Sequence, residues 1–472
     1  MERVPTGIDG LDPLIEQGLP KQSLVLVAGA PGTGKTSLCC KFLERGAAIC
    51  GEKGLYVSLF ESKEKMVENL SHQFGPELPE LVRRGMIEIL SFPTMKGKGL
   101  SVMMDVILST IQENKARRLV IDSLSSLLEF LPEEQESRMF VHNILTKIIP
   151  SYECTTIVTK ETSSDGVIGA SAEDFVADGL FLLRRLIFQG KTLRELELAK
   201  LRGTKISSPT VPFTLDGGFT VFPPFHHRTF EWAKKLRRVP NSENHFSTGI
   251  EALDRILAGG YSKGSIVLLD ADEAIPLTAY GVMSYPIVAN FLNNGSPLVG
   301  TQSLGADPAR TYERWKAFAG ENASRARSVE RLIGTAQERK PYLALLRSEK
   351  PEGRLGEYLG AGARLRKQTG KPVLWWVALD HFADIFGLDY AEKALSQLSV
   401  NIIRQKELAV LLAKPGLESI MKTASNIAAT HLRIMDRHGT ILLHGIKPRT
   451  PLYAITVDIE KGLNSTVFTP IV

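Results

Sequence analysis

The chain has little cysteine, few aromatic residues and no strong excess of either charge. Four cysteines, Cys39, Cys40, Cys50 and Cys154, occur in 472 residues, and none stands at a metal-ligand spacing. That argues against a zinc site or a disulfide framework and suits a reducing compartment. No apolar run reaches the length of a membrane span. The opening "MERVPTGIDGLD" lacks the apolar stretch of a secretory signal. The expectation is a cytoplasmic protein with no membrane contact. A net charge of +5 permits nucleic-acid binding without demanding it. Hydrophobic content of 43% and charged content of 23% are those of a globular protein. The length exceeds what one core serves, so two domains of roughly 230 residues are expected.

What the chain does have is a copy of itself. "TGIDGLD" (Thr6 to Asp12) returns as "TGIEALD" (Thr248 to Asp254), and "GLPKQSLVLV" (Gly18 to Val27) returns as "GYSKGSIVLL" (Gly260 to Leu269), at one offset of 242 positions. A period this long marks a duplicated domain rather than a solenoid. The expected division is 1–225, a basic linker 226–244, and 245–472. The linker carries prolines and the cations Lys234, Lys235, Arg237 and Arg238. These read as a solvated charge run, with contact to an acidic partner or nucleic acid as the alternative.

Within the first half, apolar β-rich runs alternate with helical segments. "SLVLVAG", "GLYVSL", "RRLVIDSL" and "CTTIVTK" read as strands of a parallel sheet covered on both faces. From about Leu180 the strands follow one another closely, which predicts an antiparallel extension at one edge. The second half repeats the scheme, with "KPVLWWVALD" and "ELAVLLAK" as central strands. The fold class is α/β, two tandem domains of this kind.

The most specific motif is Gly29, Ala30, Pro31, Gly32, Thr33, Gly34, Lys35, Thr36, followed by Ser37. It matches GxxxxGK[ST] at every fixed position, after a strand and at the start of a predicted helix. Glycines let successive N–H groups face inward and cradle phosphate oxygens, and the helix N-terminus adds its positive end. Lys35 is expected to reach the β- and γ-phosphates and Thr36 to hold Mg²⁺. Asp122 closes the apolar strand "RRLVID" and is the expected second acid on the metal side, acting through Mg²⁺-bound water.

From "VPTGIDGLDPLIEQGLPKQSLVLVAGAPGTGKTSL" through "VIDSLSSL" to "ELELAKLRGTKISSPTVPFTLDGGFTVFP", the first half resembles the KaiC-like branch of the RecA superfamily. The second half resembles a decayed KaiC-like domain, and the two-domain plan is similar to archaeal gas-vesicle regulatory ATPases. The resemblance implies a RecA-like fold, ATP and Mg²⁺ as ligands, and hydrolysis at interfaces between copies of the chain, with a ring as one form of the assembly. In the family two adjacent glutamates after the second strand polarise the attacking water. Here Phe60 replaces the first and Glu61 keeps the second, so Glu61 inherits that role and slow hydrolysis is allowed for. The family's lysine and arginine that reach a neighbour's γ-phosphate fall on Lys200 and Arg202, and Arg194 also falls where the family places a cation.

In the second half, Lys35 faces Leu277, Thr36 faces Thr278, and Gly29, Gly32 and Gly34 face Ala271, Ala274 and Pro276. "DADEAIPLT" lacks glycine freedom and the lysine, and its acids repel an anion. Asp380 after "LWWVAL" reads as a surviving strand-end acid. This half keeps its fold and loses its chemistry. Three functions compete: an ATP-dependent regulator whose nucleotide state controls self-association or binding of a regulatory protein partner; a RadA-type recombinase relative that loads on DNA through Thr162 to Asp174 and basic clusters; and a nucleotide-binding structural subunit of a larger machine.

Overall fold

The computed structural model describes residues 2–92 except Gly75, 99–128, 139–162 except positions 141, 142, 144, 146 and 147, 176–225, 236–332 except 276, 340–457 except 415, and 465–472. The chain forms two compact units. The first is Met1–Pro224 with His438–Thr440 and Pro470–Val472; the second is Phe225–Arg437 with Ile441–Thr469.

In the first unit, β1 (Leu24–Gly29) leads into helix α1 (Lys35–Ile49). Then come β2 (Gly54–Ser58), β3 (Ile87–Ser91), β4 (Arg118–Asp122), β5 (Thr155–Glu161), β6 (Gly179–Phe188), β7 (Lys191–Leu201), β8 (Thr210–Thr214) and β9 (Thr220–Val221). The strand order is β3-β2-β4-β5-β1-β6-β7-β8-β9. The pairs from β3 to β6 are parallel, and β6 through β9 pair antiparallel. The alternation of β1 explains why it is central. Val25 and Val27 pack into the core on one face, Leu24 and Leu26 into the core on the other. A strand whose two faces are both buried has no room for polar side chains, hence the continuous apolar run. Burial extends to a charge: Arg118 is fully buried, donates to Glu52 at 2.6 Å and to the Phe42 carbonyl at 2.8 Å, and lies over the Phe42 ring.

The second unit contains β10 (Ser265–Ala271), β11 (Leu298–Thr301), β12 (Ala326–Arg331), β13 (Leu343–Leu346), β14 (Leu374–Ala378), β15 (Leu408–Ala413), β16 (Thr430–Arg437), β17 (Thr440–Lys447), β18 (Leu452–Val457) and β19 (Thr466–Pro470). Its order is β13-β12-β11-β14-β15-β10-β16-β17-β18-β19. Removing β13 leaves the order of the first sheet, strand for strand. Val267 and Leu269 again face one core, Ile266 and Leu268 the other. Both units are therefore RecA-like α/β domains, parallel at the centre and antiparallel along one edge.

Part of the expected linker is folded into the second unit. Leu236 is buried in its core, the Val239 N–H donates to Asn290 Oδ1 at 2.8 Å, and Arg238 Nε donates to Asn294 Oδ1 at 2.8 Å. Lys234 and Lys235 lie outside the described residues, as do residues 163–174 of the expected DNA loop.

Candidate functional site

The loop between β1 and α1 takes its shape from its glycines. Gly32 and Gly34 have φ of 74° and 106°, in the left-handed region that glycine enters without strain. At Gly29 the constraint is space: a Cβ there would lie 2.6 Å from Thr33 Oγ1 and 2.7 Å from the Leu183 carbonyl. Thr33 closes the loop internally, its hydroxyl donating to the Ala30 carbonyl at 2.8 Å. Lys35 Nζ donates to the carbonyls of Gly29 at 2.7 Å and Ala30 at 3.2 Å. Burial lowers the Lys35 pKa, opposed by the nearby charges of Glu161 and Asp122.

Across from the loop, the end of β4 brings in Asp122. Its Oδ2 accepts from the Thr36 hydroxyl at 2.8 Å and from the Tyr56 hydroxyl at 2.5 Å, and its Oδ1 accepts from the Thr159 hydroxyl at 2.6 Å. Burial, and then the Asp122 charge, push the Tyr56 hydroxyl well above its ordinary pKa, so it stays a donor. Hydroxyl and carboxylate oxygens side by side beneath a phosphate loop are the hard-donor set that Mg²⁺ takes, usually with retained waters. The residues fit that ion.

Glu61 follows β2 and is held by its backbone. Its carbonyl accepts from Ser58 Oγ at 2.9 Å and Ser91 Oγ at 2.7 Å, and its N–H donates to Ser58 Oγ at 3.1 Å. Its carboxylate accepts from Asn69 Nδ2 at 3.4 Å. A cavity of about 480 Å³ joins these parts, lined by Pro31, Lys35, Thr36, Glu61, Asp122 and Glu161 among others. Phe60, more than half exposed, is also on its wall.

Lys200 and Arg202 are elsewhere. Lys200 Nζ donates to the Ala177 carbonyl at 2.6 Å, and Arg202 pairs with Asp178 at 3.3 Å. Leu201 pairs with Gly179, which pairs with Val25 at the start of β1, whereas the loop follows Gly29 at its end. At about 3.3 Å per residue, that puts them roughly 13 Å back along the sheet. Arg194 sits at the loop end of the hairpin and donates to the carbonyls of Gly32 at 3.0 Å and Thr33 at 3.3 Å. It braces the loop from behind.

Three residues escaped the reading of the sequence: Tyr56, Thr159 and Glu161. A hydroxyl inside a strand carries no signal until the register of the sheet places it beside the acid.

The second unit has no such site among the described residues. Ion pairs stand at the end of β10 instead: Arg433 lies 3.2 Å from Asp272 and 3.8 Å from Asp270. The reading of Asp380 as a surviving strand-end acid is corrected. Following the pairing of β1 with β5 and β4 with β5, and of β10 with β15 and β14 with β15, the counterpart of Asp122 is Ala378. Asp380 lies two residues on, in a helix, accepting from the Leu304 and His381 N–H groups.

The chain is similar to several known proteins. The KaiC ATPase family model matches residues 4–224, and a model described as GvpD basic region 2 matches residues 235–305. The circadian clock oscillator protein KaiC of Thermostichus vulcanus is 28% identical over 333 residues, covering 69% of this chain and 60% of that protein. KaiC of a Nostoc species is 30% identical over 306 residues, 62% of this chain and 56% of that one. The chain thus matches little more than half the length of these relatives. Protein GvpD2 of Halobacterium salinarum is 26% identical over 480 residues, 93% of this chain and 92% of that protein. A crystal structure of a KaiC-like protein from Pyrococcus horikoshii is 31% identical, covers 47% of this chain and 99% of that one, and has a TM-score of 0.42. No helix among the described residues is long and apolar enough to cross a membrane. Residues 4–224 match the KaiC ATPase family model, and the chain as a whole resembles KaiC-like proteins of the RecA superfamily.

Proposed function

We propose that the first domain binds ATP with Mg²⁺ and hydrolyses it, and that its nucleotide state governs self-association or the binding of a regulatory protein partner. The observation that carries this reading is the 2.8 Å hydrogen bond from Thr36 to Asp122 beneath an intact phosphate loop. Backbone N–H groups of Gly32 to Thr36 and the start of α1 would hold the phosphates, with Lys35 bridging β and γ. Thr36 would bind the ion directly and Asp122 through water. Mg²⁺ would neutralise charge on the β- and γ-phosphate oxygens.

Glu61 would orient and deprotonate the attacking water, with its backbone fixed by Ser58 and Ser91. Lys200 and Arg202 are too far back along the sheet to serve the loop of their own chain, which suits service to a neighbouring copy. The second domain would act as a platform without chemistry of its own. Glu61→Gln keeps the shape and loses the charge. It should bind ATP as the parent does and turn it over about 10²–10³ times more slowly. Equal turnover in a steady-state phosphate-release assay would move the role to another group, with Glu161 the next carboxylate on the cavity wall.

A further inference from the structure

The strand with no counterpart among the described residues of the first domain, β13, borders a second cavity, of about 410 Å³. Four cations line it, Arg327, Lys340, Arg347 and Arg364, and no carboxylate does among the described residues. Its lining also includes the apolar residues Leu343, Leu345 and Leu365. Arg327 is fixed by its own backbone neighbours, donating to the carbonyls of Ser324 at 2.7 Å and Ala326 at 2.9 Å. The side chains of Arg347 and Arg364 have no ion-pair partner among the described residues, and both are exposed. Glu357 accepts from the Arg347 and Ser348 backbone N–H groups at 2.6 and 3.3 Å.

β13 is also the last strand of its sheet. The carbonyls of Tyr342 and Leu346 accept from Ser328 and Leu332 on the β12 side. In a parallel pair alternate residues turn both backbone groups the same way. Leu345 therefore directs its N–H and C=O outward, where nothing among the described residues pairs with them. A partly exposed leucine strand with an open edge is an aggregation hazard unless something covers it.

We propose that this groove docks an extended acidic peptide of a partner protein, which adds as a strand beside β13. The strand edge supplies main-chain hydrogen bonds, the leucines accept alternate apolar side chains, and the arginines pair with carboxylates. The lining speaks against other anions. Among the described residues it has no aromatic side chain on which a base could stack and no glycine loop of inward N–H groups for a single phosphate.

The test uses the full chain and a fluorescein-labelled peptide alternating glutamate with valine, about ten residues long. Anisotropy should rise saturably, and R347E/R364E should weaken binding at least about tenfold. A peptide of the same charge with proline in place of every second valine should bind far more weakly, because it cannot donate to the edge. Unchanged ATP binding by the double variant would show that its fold is intact. The proposal fails if the peptide does not saturate, if charge reversal leaves binding unchanged, or if the proline peptide binds equally well. It also fails if an oligodeoxynucleotide of equal charge displaces the peptide, since the groove would then be a nucleic-acid face.

Discussion

The Tyr56 hydroxyl lies 2.5 Å from Asp122 Oδ2, the same oxygen that accepts from Thr36. Tyr56 thus orients the acid that faces the proposed metal position, from a strand whose own sequence carries no catalytic signal. Tyr56→Phe removes that donor and leaves the ring in place. It should cost about 1 kcal/mol of stability in a denaturant titration. It should also raise the Mg²⁺ concentration needed for half-maximal hydrolysis about tenfold, as losses of an outer partner of a metal site do. An unchanged Mg²⁺ midpoint would make the contact structural.

The distance of Arg202 from its own loop has a consequence for mixed assemblies. Arg202→Ala should bind ATP and hydrolyse it about 10³–10⁵ times more slowly. Lys35→Ala should fail to bind yet still present Arg202. Mixing the two should restore part of the activity, and dilution below the assembly concentration should abolish the restoration. If mixed oligomers form, as shown by co-purification of two tags, and stay inactive, Arg202 has no role toward a neighbour.

The four thiols differ in reach. Cys39, Cys40 and Cys154 are buried and Cys50 is exposed. Burial pushes Cys154 up to about 12 and the other two buried thiols well above their ordinary value. A raised pKa means little thiolate, and thiolate is the reactive form. Iodoacetamide near pH 8 should therefore label Cys50 alone in the native protein, and all four after unfolding. Rapid native labelling of Cys39 or Cys40, read by peptide mass spectrometry, would mean that α1 opens in solution.

How much of this was legible in the sequence follows from how local each determinant is. The phosphate loop was legible because its determinants are largely local: Gly34 answers to its own φ, and Gly29 in part to the Thr33 hydroxyl four residues on. Asp122 was legible because it ends an apolar run. Asp380 misled for the same reason, since a strand that stops at Ala378 and a helix that starts at Leu379 look like one apolar run with an acid behind it. Thr159 meets Asp122 only once β4 and β5 align in register, and Arg194 reaches the loop only through the hairpin pairing. The short run "LALL" of β13 has no periodicity that separates it from a buried helix turn.

The central claim is one working nucleotide site and one lost copy in each chain. Calorimetric titration of the parent and of Lys35→Ala with a non-hydrolysable ATP analogue and Mg²⁺ tests it most directly. The account predicts a stoichiometry near one per chain for the parent and no heat of binding for the variant, because Asp270 in β10 and Asp272 just after it are held by Arg433 where β1 opens into a glycine cradle. A stoichiometry near two, or retained binding in Lys35→Ala, would contradict it.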